Sequence, residues 1–315
     1  MKLHIFDVKQ MMYIGQSKHE SVCRGVIEDQ VRFRPREIRV GSICYLFDRI
    51  NGLRHDQNNV LAFCCDSRPT FKIDLEDRVF GLRYKGGRAV TPPHVIYQYD
   101  FCVELLRQIG FNVYKEDSYE ADDFISSLVY KYKNVFEEII IHTNDSDQYY
   151  LISSNVRCEP ASNNYKAVNL SNYELACSKK RNTPYNRVML DKILYGEDGD
   201  NVPGFNYDDI VRVNSIIPSV IYKYLGDAKL LRTILKAITQ DNERYMAIAD
   251  LVIPRLILDE RCTISADAIP DWNLFTYYAS QFGCIAFRNM NVTPSEIGES
   301  TIINEIDKLV DNGVI

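Results

Sequence analysis

The sequence lacks the features that mark secreted, zinc-binding and membrane proteins. Its nine cysteines, an odd number, include no C-x-x-C pair, which argues against both a disulfide framework and a structural zinc site. No apolar run approaches the roughly 18–20 residues of a membrane span. Asp7 stands too close to the first residue for a signal peptide. We therefore expect reduced thiols, a cytoplasmic location and no membrane partner.

The composition that is present is typical of a globular protein. The 315 residues are 46% hydrophobic and 25% charged, so a folded core is expected rather than disorder. The net charge of −6 by itself argues against a nucleic-acid partner, because phosphate contacts need lysine and arginine. Cations nevertheless outnumber acids between Arg68 and Arg88. Clusters of this kind are commonly solvated loops.

Three short apolar runs are each followed by aspartate. The pairs of run and acid are residues 2–6 with Asp7, residues 59–65 with Asp66, and residues 138–143 with Asp145 and Asp147. Such runs are typical of the buried strands of a parallel sheet. Helical periodicity over 41–50 and 95–109 separates them, and alternating strands and helices predict an α/β fold. Since ligands of open parallel sheets lie beyond the carboxyl ends of the strands, these acids are expected at one edge.

Further acids occupy a helix start and a loop. Glu120, Asp122 and Asp123 open a predicted helix, where capping and the helix dipole account for one or two of them and leave the third surplus. A loop after a second predicted helix adds Glu197 and Asp200.

So many carboxylates at one edge would repel one another by several kcal/mol unless a cation lay among them. Oxygen ligands without histidine or cysteine favour Mg²⁺ or Mn²⁺ over zinc. Two such ions about 3.5–4 Å apart are a standard device for phosphodiester hydrolysis. We therefore predict a two-metal phosphodiester hydrolase that uses Mg²⁺, with Mn²⁺ as a substitute.

Several motifs resemble those of the flap endonuclease and 5′→3′ exonuclease superfamily, in their order and approximate spacing. They are Glu-Ala-Asp-Asp at 120–123, Thr-Asn-Asp-Ser-Asp at 143–147, Gly-Asp-Asn-Val-Pro-Gly at 199–204, Tyr-Lys-Gly-Gly-Arg at 84–88 and the strand end at 63–67. The chain is most similar to the bacterial and bacteriophage branch, over residues 1–204. The resemblance implies a PIN-like parallel-sheet core with helices on both faces, plus a mostly helical C-terminal region. It also implies a location in the cytoplasm of a bacterium, or of the host of a phage.

The resemblance further implies roles for individual residues. The metal ligands are Asp7, Asp66, Glu120, Asp122 and Asp123 for one ion, and Asp145, Asp147, Glu197 and Asp200 for the other. Among these, Asp66 and Asp145 are also counted as catalytic residues, together with Lys85 and Arg88 at the scissile phosphate. The nucleic-acid contacts are Arg68, Lys72, Arg83, Tyr84, Lys85 and Arg88. Glu197 stands where the family usually has aspartate, so its longer arm reaches the ion directly or acts through water.

Two segments depart from the family pattern. After Gly204 the family usually continues into a helix–turn–helix with a glycine pair that grips duplex phosphates. Residues 205–213 here carry two acids and no such pair, which weakens the case for duplex binding by this element. Asn206 predicts the cap of a short helix instead. The segment between Arg88 and Glu120 is too short for a large rigid arch.

The leading prediction is a structure-specific 5′ nuclease of DNA replication or repair, with 5′→3′ exonuclease and flap endonuclease activity at one site. Its partner is DNA with a 5′ end, flap or fork, with RNA–DNA hybrids as further substrates. Two alternatives stay open: a PIN-like ribonuclease, and a nucleic-acid-binding replication protein with weakened catalysis.

Two domains are predicted. Residues 1–180 form the nuclease core, and residues 181–315 form a helical region that carries the last metal-site loop and a divergent helix–turn–helix. Helical patterns over 228–238, 244–258 and 300–310 support this reading of the second part. It is also the candidate surface for a replication protein or for a second copy of the chain.

Overall fold

The computed structural model describes residues 1–19, 24–29, 34–88, 91, 93–160, 167–172, 187–216, 227–239, 242–265, 268–282 and 284. The chain divides into two compact units, residues 1–7, 62–89 and 114–263, and residues 8–61, 90–113 and 264–315. Every candidate site residue lies in the first unit. The predicted domain boundary near 178–183 and the predicted helix over 300–310 lie outside the described residues.

The first unit holds most of a five-stranded sheet whose strands are all parallel, as predicted. In spatial order its strands are β5 (Asn112–Tyr114), β4 (Asn59–Cys64), β1 (Lys2–Asp7), β6 (Glu138–His142) and β7 (Val156–Glu159). The central strand β1 pairs with β6 from Lys2 opposite Glu138 to Phe6 opposite His142. Phe6 also stacks on Phe63 of β4, with ring centroids 4.9 Å apart. Because both faces of these strands are covered, their sequences read as continuous apolar runs.

Among the described residues of this unit, six α-helices accompany the sheet. They are α3 (Thr70–Phe80), α5 (Ala121–Tyr132), α6 (Val188–Tyr195), α7 (Tyr207–Ile216), α8 (Ala228–Thr239) and α9 (Glu243–Val252). α5 packs against β1, and α9 packs against α3, α6 and α8. Leu75, Leu190, Leu231 and Ile248 share the apolar cluster between these helices. This cluster fixes α3 and α6, which both carry side chains of the candidate site.

The second unit holds the helices α1 (Val8–His19), α2 (Gly41–Asn51), α4 (Pro93–Ile109) and α10 (Trp272–Gln281), with an antiparallel pair of strands β2 (Arg24–Asp29) and β3 (Arg34–Arg39). Gly15 allows α1 to approach α2, since a Cβ there would lie 2.7 Å from the Cβ of Tyr45. Phe47 packs on Phe275 with centroids 4.9 Å apart. Among the helices that the structure describes, none is long and apolar enough to cross a membrane.

One prediction about local structure was wrong, and one helix was not predicted. Residues 70–80, for which the sequence analysis named no element, form the half-buried helix α3. The helix predicted over 244–258 ends at Val252, because Pro254 offers no backbone N–H and disfavours helical angles at Ile253. Asn206 does cap α7, as predicted: its Oδ1 accepts a hydrogen bond from the backbone N–H of Asp209 at 2.9 Å.

Candidate metal centre

Asp7 and Asp66 meet the start of α5 at one edge of the sheet. Asp7 ends β1 and is buried, and its Oδ2 accepts a hydrogen bond at 3.1 Å from the hydroxyl of Thr143, which directly follows β6. Asp66 follows β4, and its Oδ1 accepts a hydrogen bond at 2.8 Å from the backbone N–H of Ala121. Parallel topology thus brings acids from separate strands to a shared edge.

Glu120 and Asp123 cap the start of α5. Their side chains and backbone form a capping box, in which Asp123 accepts from the backbone N–H of Glu120 at 3.0 Å. The other oxygen of Asp123 accepts from the backbone N–H of Arg255 at 2.7 Å. Protein donors therefore engage both oxygens of this fully buried carboxylate. Capping accounts for two of the three acids at this helix start and leaves Asp122 surplus, as the sequence indicated.

Asp122 lies where the carboxylates converge. Its Oδ1 accepts a hydrogen bond at 2.6 Å from the side-chain amide of Gln148, which is buried. Removal from water raises the pKa of Asp122 well above its usual value. The charges of four further carboxylates raise this pKa still more: Asp145, Asp7, Glu120 and Asp66. Five acids from distant parts of the sequence therefore act on one another here.

Two lysines neutralise Glu120. The Nζ of Lys72 lies 2.7 Å from Oε2 of Glu120, and Lys85 donates a hydrogen bond to Oε1. Tyr84 adds a hydrogen bond from its hydroxyl at 3.3 Å. Burial alone would raise the pKa of Glu120, but the two ammonium groups hold it well below its usual value. Glu120 is therefore ionised at neutral pH and paired on both oxygens.

The predicted nucleic-acid contacts fall into two groups. Lys72 and Tyr84 are buried, 4% and 5% exposed, and both contact Glu120. Both therefore lie inside the acid cluster and not on an outer surface. The reason is that the buried carboxylate of Glu120 needs a cation and a hydrogen-bond donor as partners. Arg68 and Arg83 are exposed, and their contact with nucleic acid stays a prediction.

A second group of acids lies around Asp145 and Asp147. Asp145 caps a short 3₁₀ turn over Ser146–Leu151, and its Oδ1 accepts from the backbone N–H of Asp147 at 2.9 Å. Burial and then the charge of Asp147 raise the pKa of Asp145 to about 6. Lys192 forms an ion pair with Asp147, and its Nζ lies 3.5 Å from Oε2 of Glu197. These acids thus share one ammonium group.

Sequence reasoning missed Lys192. It lies on α6, whose other residues are mostly apolar, and a lysine on a buried helix needs an acid as its partner. A charged residue in an otherwise apolar helix, one turn before the acidic loop, is the sequence signal that would have identified Lys192. Burial would lower the pKa of Lys192, but Asp147 raises it above the usual value.

Two glycines shape the loop that carries Glu197 and Asp200. Gly196 ends α6 with a φ of +76°, a backbone angle that favours glycine. A Cβ on Gly204 would lie 2.7 Å from the carbonyl oxygen of Leu194. The chain therefore returns close to the end of α6 and presents its acids on a short loop.

Arg88 and Lys85 join this loop to the segment after α3. The guanidinium of Arg88 pairs with Oδ1 of Asp200, and its Nε lies 3.4 Å from the carbonyl oxygen of Gly199. The backbone N–H of Lys85 donates to the carbonyl oxygen of Asp200 at 3.1 Å. Lys85 itself has a left-handed φ of +55°. The two predicted phosphate contacts thus lie beside acids of both groups.

The donor set suits a hard divalent cation. Within the described residues, no three acid, histidine or cysteine side chains lie close enough to enclose an ion as they stand. Lysine and arginine side chains are paired with several of the acids instead. The candidate donors are all carboxylate oxygens, and four other carboxylates repel the negative charge of Asp122. A divalent cation would remove that repulsion, and oxygen ligands favour Mg²⁺ or Mn²⁺.

Comparisons with known proteins show which sequences and folds this chain is similar to. Residues 29–175 match the family described as 5′-3′ exonuclease, N-terminal resolvase-like domain. DNA polymerase I of Chloroflexus aurantiacus is 30% identical over 148 residues, which are 45% of this chain and 15% of that protein. The 5′-3′ exonuclease of Buchnera aphidicola is 28% identical over 125 residues, 38% of this chain and 40% of that protein. The matches thus span less than half of the length of these relatives.

Two solved structures of bacteriophage T5 proteins share the fold. The T5 5′-exonuclease with bound zinc has a TM-score of 0.53 and 14% identity, covering 90% of this chain and 98% of that chain. A variant of the T5 D15 flap endonuclease, in a pseudo-enzyme–product complex with DNA and metal ions, has a TM-score of 0.52 and 12% identity, covering 99% and 98%.

Fold and sheet therefore define a PIN-like α/β protein, as the resemblance implied. Residues 29–175 match the model of the 5′→3′ exonuclease family, and the resemblance to the flap endonuclease and 5′→3′ exonuclease superfamily is confirmed.

Proposed function

We propose that the protein is a structure-specific 5′ nuclease that hydrolyses phosphodiesters of DNA at 5′ ends, flaps or forks. The observation that carries this proposal is the convergence of four carboxylates on a fifth, Asp122, with the cationic side chains Lys85 and Arg88 paired to acids of the same centre. The family match over residues 29–175 supports it. Mg²⁺ is the proposed physiological ion because the donors are oxygens alone.

Eight acids form the proposed ligand set. Asp7, Asp66, Glu120 and Asp122 lie in one group, and Asp147, Glu197 and Asp200 lie in the other. Asp145 stands between them, since its charge acts on Asp122 and the charge of Asp147 acts on it. Asp123 is left out, since two backbone N–H groups engage its two oxygens. Glu120 stays in the set because its partners are side chains, which can turn away. When bound, two ions would supply an activated water and offset the charge of the reacting phosphate.

The remaining steps belong to the chain's own side chains. Lys85 and Arg88 orient the scissile phosphate, and their charges stabilise the negative charge that grows on it during attack. Both cations are paired with acids, Lys85 with Glu120 and Arg88 with Asp200. An ion that took over those acids would free the two side chains to turn towards the phosphate.

A cleavage panel tests the proposal. End-labelled 5′-flap DNA, 3′-flap DNA and single-stranded RNA are incubated with the protein in Mg²⁺, in Mn²⁺ and in EDTA. The proposal expects cleavage of the 5′ flap in either ion and no product in EDTA. Preference for the single-stranded RNA would favour the ribonuclease alternative. Binding of flap DNA without any product at high enzyme concentration would favour the non-catalytic alternative. The predicted cytoplasmic location and the predicted partner contacts of the C-terminal region stay predictions.

A further inference from the structure

Glu76 is a buried acid outside the predicted ligand set. It lies on α3 and is 0% exposed. Neither of its carboxylate oxygens has a hydrogen-bond partner among the residues that the structure describes. A carboxylate buried without a partner is costly, so such groups are normally paired with a cation or coordinate a metal.

The position of Glu76 on its helix directs it towards the acid cluster. Lys72 and Glu76 are four residues apart, so they share one face of α3. Lys72 on that face reaches Glu120. Asp74 and Asp77 lie on the opposite, exposed side of the same helix. Lys85, the other partner of Glu120, donates its backbone N–H to the carbonyl oxygen of Asp200 at 3.1 Å, so the Asp200 loop borders the same cluster. Burial and then the charge of Asp200 raise the pKa of Glu76 to about 7.

The neighbouring acids differ from Glu76 in having cationic partners. Glu120 has Lys72 and Lys85 as partners, and Asp200 has Arg88. For Glu76, the described part of the chain supplies no ion pair. A fold that neutralises the neighbouring acids but leaves this one unpaired is consistent with a cation that comes from solution.

We propose that Glu76 is a further ligand of a divalent cation on the Asp200 side of the centre, with Asp200 as its companion carboxylate. This rests on the proposed metal centre and extends it to α3, a helix that supplies no acid to the predicted ligand set. One or two carboxylates and several waters are the usual coordination of Mg²⁺.

The test measures Mn²⁺ binding to the full chain without nucleic acid, by isothermal titration calorimetry and by the EPR signal of free Mn²⁺. Glu76→Gln keeps the shape of the side chain and removes its charge. We expect the weaker Mn²⁺ binding step to lose at least tenfold in affinity while the tighter step is unchanged. The rise in Tm on adding Mn²⁺ should shrink in parallel.

Asp77→Asn is the matched control, because it removes one negative charge from the adjacent, exposed position of the same helix. It should bind Mn²⁺ as the wild type does. Glu76→Asp keeps the carboxylate on a shorter arm and should retain part of the weaker step, which separates ligation from a packing defect. Wild-type Mn²⁺ binding by Glu76→Gln would overturn the inference.

Asp145→Ala separates this inference from the proposed function. If Asp145→Ala loses Mn²⁺ and Glu76→Gln does not, only the role of Glu76 fails. If neither variant loses Mn²⁺, the metal centre itself is wrong.

Discussion

Lys72 and Glu120 form a buried ion pair, with Nζ and Oε2 2.7 Å apart and side chains 5% and 6% exposed. The pair ties α3 to the start of α5, two elements that are distant in the sequence. It also explains how several acids can be accommodated at one edge of the sheet: the fold supplies its own cations from α3, the following loop and α6. A metal ion that binds these acids must therefore compete with the lysine and arginine side chains already paired with them.

Lys72→Met should destabilise the protein by roughly 3 kcal/mol, because it leaves Glu120 buried with one ammonium partner fewer. Urea unfolding measures the change. Adding Glu120→Gln to the Lys72→Met variant should recover part of the loss, since the uncompensated charge is then gone. A double variant that is less stable than Lys72→Met by the full cost of Glu120→Gln alone would show that the two residues are not coupled.

Lys85→Ala should lower kcat on a 5′-flap substrate by about 100-fold or more, the size expected when a preorganised charge at a reacting group is removed. Arg68→Ala, an exposed cation without a partner acid in the proposed centre, is the comparison and should change kcat less than threefold. Single-turnover cleavage measures both. A Lys85→Ala rate within threefold of the wild type would remove Lys85 from the catalytic residues.

Gln148→Leu should weaken Mn²⁺ binding by about tenfold, because the variant loses the 2.6 Å hydrogen bond that orients Asp122. Calorimetric titration of the variant measures the effect. Gln148→Glu adds a further negative charge beside Asp122 and should lower stability in EDTA while binding Mn²⁺ again. Unchanged Mn²⁺ affinity in Gln148→Leu would contradict a positioning role for this amide.

Glu138 predicts a pH dependence away from the metal centre. Burial opposes ionisation, but hydrogen bonds from Arg157 and Lys2 hold the pKa of Glu138 below its usual value of 4.5. A lowered pKa contributes stability above about pH 4.5 and loses it as pH falls through the folded-state value. Glu138→Gln should therefore cost at most about 1 kcal/mol at pH 7 and less at pH 3.

Urea unfolding at the two pH values checks this prediction. Glu137→Gln is the matched control, since Glu137 is 83% exposed and pairs only with the terminal amine at 3.1 Å among the contacts described for it. Its effect should be smaller at pH 7. An equal loss for Glu138→Gln at pH 3 and pH 7 would show that charge is not the cause.

The sequence predicted the parts of this fold that depend on local pattern. β1, β4 and β6 are buried on both faces, so their continuous apolar runs predicted them as strands. The acids that follow them predicted the edge of the sheet at which the site lies. α3 could not be predicted from its hydrophobic pattern, because its buried face carries the charged residues Lys72 and Glu76. Their burial depends on partners far along the chain, and no local periodicity reports such pairing. Lys192 was missed for the same reason.

On this account, acids from separate strands, helices and loops together bind divalent cations. A crystal structure of the protein soaked in Mn²⁺, with anomalous scattering recorded at the manganese edge, tests it most directly. We predict manganese peaks within bonding distance of Asp122 and its neighbours Asp7, Asp66 and Asp145, with Lys85 turned away from Glu120. Saturating Mn²⁺ that produces no anomalous peak at these carboxylates would contradict the account.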